Sequence, residues 1–197
     1  MSASSSLKAM DRALRGLPEV KDVRIIDEDG RELPRGEAGE IVAFSSWLMP
    51  EYYKLPEKTA ASFKDGWFSA GDLARRDADG YYEIVDRKDN MIITGGEHVY
   101  PSEVEEVIGS QECVFDCACI SVPDEKWGEV PAAIIVPKPD QTLTAEEIKK
   151  HLAGKLAKFK IPKHFTFVAE LPRNDAGKTD RRALKQLVNS SEERQDP

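Results

Sequence analysis

The 197-residue sequence predicts an α+β protein, a small antiparallel β subdomain followed by an α+β domain, on two observations. Short strands punctuated by turns run from Val20 to Asp86, and alternating helices and strands follow Arg87. Between them lies the polar run Asp86-Arg-Lys-Asp-Asn90. A charged break between two self-contained patterns reads as a hinge or linker, with a surface turn inside one larger domain as the alternative. The expected division is residues 1–88, residues 89–189 and a tail at 190–197. With 40% hydrophobic and 32% charged positions, each part has enough apolar residues for a core.

In the first part the expected strands are Val23–Ile26, Gly39–Phe44 and Gly80–Val85, with a turn at Asp27-Glu-Asp-Gly30. In the second part Pro101 opens a helix, because its fixed φ and missing N–H suit the first turn. Strands follow at Val114–Val122 and Ala132–Val136. Thr144 and Glu147 form a capping box before a helix expected to reach about Phe159. A last strand is read at His164–Val168 and a last helix at Thr179–Val188. Met1 to about Leu17 and Ser190–Pro197 read as loosely held ends.

The formal charge of -8 is spread along the chain, which argues against a nucleic-acid partner. No run approaches the roughly 20 apolar residues of a membrane span, and the start lacks the apolar region of a signal peptide, so a cytoplasmic location is expected. Cys113, Cys117 and Cys119 are odd in number and have no nearby Cys/His pair, a poor basis for a disulfide framework or a metal site. Cys117 and Cys119 are expected to pack on one face of a strand.

Three polar clusters, read as lying at element ends, carry the candidate chemistry. In Gly66-Trp-Phe-Ser-Ala-Gly-Asp72 a carboxylate directly follows a glycine and can accept two hydrogen bonds from a vicinal diol, although Gly-Asp is also an ordinary turn pair. In Asp86 to Pro101 an apolar strand lies between the charged run and the pair Gly95-Gly96, which lets backbone pass close to a thin ligand or simply makes a tight turn. In Leu171-Pro-Arg-Asn-Asp-Ala-Gly-Lys178 a lysine follows a glycine just before a helix. The Gly-x-x-x-x-Gly spacing of a P-loop is absent. The lysine is suited to neutralise phosphate or carboxylate charge, or is simply solvated. Lys149, Lys150, Lys155, Lys158, Lys160 and Lys163 form a basic stretch that reads as a solvated helix face or as a site for the phosphates of a ligand.

Taken together and in this order, the clusters resemble the late motifs of the adenylate-forming superfamily of acyl-CoA synthetases, aryl-CoA ligases, luciferases and peptide-synthetase adenylation domains. The resemblance runs from about Leu17 to Lys185 and covers Gly39-Glu-Ile41, Gly66-Trp-Phe68, Gly71-Asp-Leu73, Asp79-Gly-Tyr81, Asp86-Arg-Lys88, Gly95-Gly-Glu97 and Pro172 to Lys178. Val122-Pro-Asp-Glu-Lys-Trp-Gly-Glu129 favours the fatty-acyl and aryl-CoA ligase branch.

The resemblance implies that residues 1–88 end a large AMP-binding domain and that residues 89–189 are a mobile C-terminal lid. Such enzymes join a small carboxylic acid to ATP, with Mg2+, and then pass the acyl group to CoA while the lid rotates between the steps. By the same resemblance Lys178 would bridge carboxylate and α-phosphate, and Asp72 would bind the ribose of ATP or AMP with Arg87 in support. Asp89 would be the hinge, and Gly95, Gly96 and Glu97 would line a CoA channel. A single lysine on a rotating lid then serves one half-reaction only. The phosphate loop, the Mg2+ ligands and the acid pocket lie upstream in the family, so ligation is expected to need an N-terminal domain of the same enzyme. Ser69-Ala70, Asn90 and Thr179 depart from the usual pattern. The alternatives are a stand-alone lid or non-catalytic binding module working with a separate subunit, or a ligase part that uses a carrier-protein thiol.

Overall fold

The computed structural model describes residues 20–192, which form two compact units that divide between Asp89 and Asn90. The fold is α+β. Among the described residues no helix is long and apolar enough to cross a membrane.

The first unit is built of strands β1 (Val20–Ile26), β2 (Ala38–Ser45), β3 (Phe63–Lys64), β4 (Trp67–Arg76) and β5 (Tyr82–Arg87), with helix α1 (Pro56–Ser62) between β2 and β3. They form an antiparallel sheet in the order β1-β2-β4-β3, with β5 also on β4. Two hairpin ends share one turn chemistry. In Asp27-Glu-Asp-Gly30 and Asp77-Ala-Asp-Gly80 the first aspartate accepts from the N–H four residues on, of Arg31 and of Tyr81, each at 2.8 Å. The buried apolar residues are few: Ile25, Val42, Leu73 and Ala74.

The second unit contains β6 (Ile92–Thr94), β7 (Glu97–Val99), α2 (Pro101–Gly109), β8 (Val114–Asp124), β9 (Gly128–Pro137), α3 (Ala145–Leu152), β10 (His164–Phe167) and α4 (Arg181–Glu192). Its sheet runs β10-β9-β6-β7, with β8 along the other side of β9 and β10 parallel to β9. Ala133 and Ile135 pack with Ile92, Val104, Ile108, Ile148 and Leu152 on the face covered by α2 and α3. Ala132, Ile134 and Val136 pack with Leu184 and Val188 of α4 on the other face. Burial on both faces explains why Ala132–Val136 reads as an unbroken apolar run. Cys119 and Cys117 join the α2/α3 core from alternate positions of β8, as their spacing predicts.

Three expectations need correction. Residues 67–72 do not end an element but lie inside the ten-residue β4. The helix begun by the Thr144–Glu147 capping box is present, with Glu147 N–H donating to Thr144 Oγ1 and Thr144 N–H to Glu147 Oε2, but it stops at Leu152 rather than near Phe159. Ala153 is extended and Gly154 takes φ +81°, which ends the helical hydrogen bonding. The last helix begins at Arg181 rather than Thr179, because Asp180 Oδ1 accepts the N–H groups of Arg182 and Ala183. That helix runs on to Glu192, which takes in Ser190. It also takes in Ser191 and Glu192, whereas Met1 to about Leu17 and residues 193–197 lie outside the described residues.

Candidate functional site

Asp72 and Arg87 are cross-strand partners on β4 and β5, and Arg87 Nη1 donates to Asp72 Oδ1 at 2.9 Å. The Asp72 side chain is 29% exposed and that of Arg87 54%. Among the described residues the second Asp72 oxygen has no partner. The pair thus offers a free acceptor beside a guanidinium with spare N–H groups, a fit for a ribose diol next to a phosphate. Asp72 is displayed by an irregularity of β4: Val42 pairs with Ser69 and Glu40 with Leu73, so Ala70, Gly71 and Asp72 together face Ile41.

Asp89 falls in a single 3-10 turn, Lys88–Asn90, at the division between the units. Gly95 and Gly96 form the two-residue turn of the β6–β7 hairpin, Thr94 opposite Glu97. Both have positive φ, +59° and +87°, the requirement of a type I′ turn. Gly95 is also tightly faced. Its N–H donates to Trp127 O at 3.0 Å, and a Cβ there would lie 2.6 Å from the Trp127 ring, whereas Gly96 has nothing within 4 Å. Glu97 is exposed. Trp127 is held by Asp124, whose Oδ1 accepts the N–H groups of Lys126 and Trp127 and whose Oδ2 accepts Lys163 Nζ at 2.7 Å. The Lys163 bond, with those backbone bonds, holds the Asp124 carboxyl below its ordinary range.

Lys178 stands on a turn between Arg173 and Thr179, which pair as an isolated antiparallel bridge. Asn174 builds the turn: its Oδ1 accepts the Ala176 and Lys178 N–H groups, each at 3.0 Å, and its own N–H donates to Lys178 O at 2.8 Å. Arg173 braces it by donating to Gly177 O at 3.1 Å and to Asp116 Oδ2 at 2.7 Å. Just beyond, Arg181 donates to Cys119 O and, at 2.9 Å, to Glu105 Oε1, fastening the start of α4 to β8. Among the described residues the Lys178 ammonium has no hydrogen-bond or ion-pair partner.

The structure therefore brings Asp72 and Arg87 together on one sheet, and joins Gly95, Gly96 and Glu97 in one hairpin end. Lys178 is apart from that hairpin. The Gly95 turn meets Gly128 and Trp127 at one end of the β8–β9 ladder, while the Lys178 turn is braced on Asp116, opposite Val136 at the other. Eight residue steps along β9 lead from Gly128 to Val136, about 26 Å at the usual rise. Sequence reasoning assigned no role to Glu40, Trp127 or Arg173. All three lie inside motifs that the sequence does display, but partners distant in sequence, such as Lys88 for Glu40, Gly95 for Trp127 and Asp116 for Arg173, show only in the fold.

The family model of the AMP-binding enzyme C-terminal domain matches residues 103–178. A feruloyl-CoA synthase of Amycolatopsis sp is 43% identical over 157 residues, 80% of this chain and 32% of that protein. The fatty acid–[acyl-carrier-protein] ligase ScoC of Streptomyces coeruleorubidus is 40% identical, with 82% of this chain and 31% of that protein covered. The crystal structure of ATP-bound MatB from Rhodopseudomonas palustris superposes with a TM-score of 0.79 at 39% identity, over 87% of this chain and 34% of that one. The chain thus spans about a third of the length of the curated relatives it matches. The chain is thus similar to the C-terminal portion of acyl- and aryl-CoA ligases of the adenylate-forming superfamily, and its residues 103–178 match the C-terminal domain of AMP-binding enzymes.

Proposed function

We propose that the chain supplies the lid, and the last part of the nucleotide-binding domain, of an ATP-dependent acid–CoA ligase. The reaction would run in two steps, carboxylate and ATP to acyl-AMP and pyrophosphate, then acyl-AMP and CoA to acyl-CoA and AMP. The supporting observation is that the Gly95–Gly96 turn and the brace of the Lys178 turn meet opposite ends of one β-ladder, at Gly128 and at Asp116 opposite Val136, with about 26 Å of strand between them. A rigid unit of that shape cannot present both ends to one reaction centre, so it serves two steps by turning.

In this reading Asp72 and Arg87 hold the ribose and phosphate side of ATP or AMP. Lys178 neutralises the charge that develops between carboxylate and α-phosphate. Asp89 is the pivot at the division between residues 1–88 and 89–189, and Gly96, with Gly95 and Glu97, borders the path of the pantetheine arm. Mg2+ would arrive with ATP on ligands outside these residues. Trp47, Tyr53 and Leu55 are strongly exposed, as suits a segment covered by an N-terminal domain. The setting would be the cytoplasm, where ATP and CoA are at hand.

A carrier-protein thiol in place of CoA is the second reading, favoured by the kinship to an acyl-carrier-protein ligase. The test joins this chain to the N-terminal portion of the feruloyl-CoA synthase and measures the half-reactions separately. Lys178→Ala should cut acid-dependent pyrophosphate exchange about 100- to 1,000-fold while sparing acyl transfer from supplied acyl-AMP. Equal losses in both steps would refute the assignment. Transfer to a phosphopantetheinyl carrier but not to CoA would establish the second reading.

A further inference from the structure

The irregular stretch of β4 that displays Asp72 is stabilised by side chains. Ser69 Oγ accepts the Gly71 N–H at 3.0 Å and donates to Glu40 Oε1 at 2.5 Å. Glu40 Oε2 accepts Lys88 Nζ at 2.7 Å. Lys88 follows Arg87, Arg87 donates to Asp72, and Asp72 follows Gly71. Hydrogen bonds and covalent neighbours thus close a ring through Lys88, Glu40, Ser69, Gly71, Asp72 and Arg87. Glu40 is its centre, with both oxygens engaged and its side chain only 20% exposed. Burial pushes its carboxyl up, but the bonds from Lys88 and Ser69 and the Lys88 charge outweigh burial and hold it below the ordinary glutamate range. Ser69 is one of the residues at which this chain departs from the usual motif, and its hydroxyl is the link between Glu40 and the irregular backbone.

We propose that Glu40 is a positioning residue for the nucleotide site: through Ser69 it fixes the backbone that presents Asp72, and through Lys88 it fixes Arg87 from the following residue. It touches no substrate. It acts through Asp72 and Arg87, and in this it rests on the ribose-binding role given to them above.

The joined enzyme described above carries the test, with Asp72→Ala as the control. Glu40→Ala and Ser69→Ala should each raise KM for ATP in pyrophosphate exchange about tenfold, the effect of losing one or two well-aimed hydrogen bonds, with kcat changed less than KM. Ser69→Thr keeps the hydroxyl and should restore the KM. The double variant should be no worse than the worse single variant, because both break one ring. In the isolated chain Ser69→Ala should also speed hydrogen exchange at the Gly71 amide at least about tenfold by NMR, a readout that needs no activity. Additive losses in the double variant, or failure of Ser69→Thr to recover, overturn the proposal in favour of a merely structural role. If Asp72→Ala raises the KM while Glu40→Ala and Ser69→Ala do not, this inference alone is wrong. If Asp72→Ala has no effect on the KM, the ribose assignment falls and this inference falls with it.

Discussion

Asp72 and Lys178 are both candidates for direct contact with ATP, yet they are held in opposite ways. Asp72 lies inside a strand, its carboxylate tied to Arg87 and its backbone tied through Ser69 to Glu40. Lys178 stands on a turn whose backbone is braced by Arg173 and Asn174 while its ammonium has no partner among the described residues. A group that only binds gains from being fixed before the ligand arrives. A charge that must be offered and then withdrawn gains from having no competing ion pair to break. In the proposed reading the difference separates a preorganised binding site from a reagent on a supported arm.

The supporting platform is where the largest effect is expected. Leu184 is fully buried against β8 and β9 and fixes α4, whose capped start follows Lys178 by two residues. Leu184→Ala should destabilise the second unit by about 3 kcal/mol through lost burial and a cavity, measured by urea unfolding. A loss below about 1 kcal/mol would mean that α4 is not what carries the Lys178 turn. Next in size is the other end of the same ladder. Gly95→Ala adds left-handed strain and a contact with the Trp127 ring at 2.6 Å, whereas Gly96→Ala meets only the strain. The expected losses are about 2 and about 1 kcal/mol. Equal losses would show that Trp127 moves aside freely.

These contrasts were unevenly legible in the sequence. The change of texture at Arg87, the α+β class, the capping box and the two-faced run of β9 depend on local pattern, and local pattern is what a sequence displays. The end of α3 was misjudged because lysines and apolar residues continue a helical rhythm past Gly154, whose left-handed φ stops it. Strand β4 was missed because Ser69-Ala-Gly-Asp72 looks like a turn, and only the long-range bonds of Ser69 and Glu40 show how it stays within a sheet. Lys178, Asp72, Arg87, Asp89 and Gly95–Glu97 were named from a motif resemblance, and their chemical roles are proposals of function. Arg173 and Asp116 are 57 positions apart, and no periodicity connects them.

That pair supplies the next prediction. Arg173→Met retains much of the side-chain bulk but removes the bonds to Asp116 and Gly177 O, so the Lys178 turn loses its brace while Lys178 stays. The ion pair is half-exposed, so stability should change by less than about 1 kcal/mol. Adenylation should nevertheless fall about tenfold, with acyl transfer spared, because a misplaced reagent loses rate steeply. Unchanged adenylation would mean that the turn is held by Asn174 alone, and the contrast with Asp72 would then rest on the free ammonium only.

The smallest expected effect concerns acid. Glu40 has a folded-state carboxyl below the ordinary glutamate range, so on acidification the unfolded chain takes up its proton first. The stabilisation is thus fully present above the ordinary range and is lost as the pH falls through the depressed value. Glu147 of the capping box, held low by side-chain and backbone bonds with Thr144, follows the same rule in the second unit. The two differ in what each protonation releases. Protonating Glu40 loosens Lys88 and Ser69, and with them the ring that presents Asp72; protonating Glu147 frays the start of α3. In the isolated chain, Glu40→Ala should flatten the acid limb of stability and speed exchange at the Gly71 amide even at neutral pH, since it removes both the Ser69 bond and the Lys88 charge pair. Glu147→Gln should flatten the acid limb without touching that amide. Faster Gly71 exchange in the Glu147 variant would mean that the two units do not report separately, and the contrast between the fixed site and the supported arm would have to be drawn within a single cooperative unit.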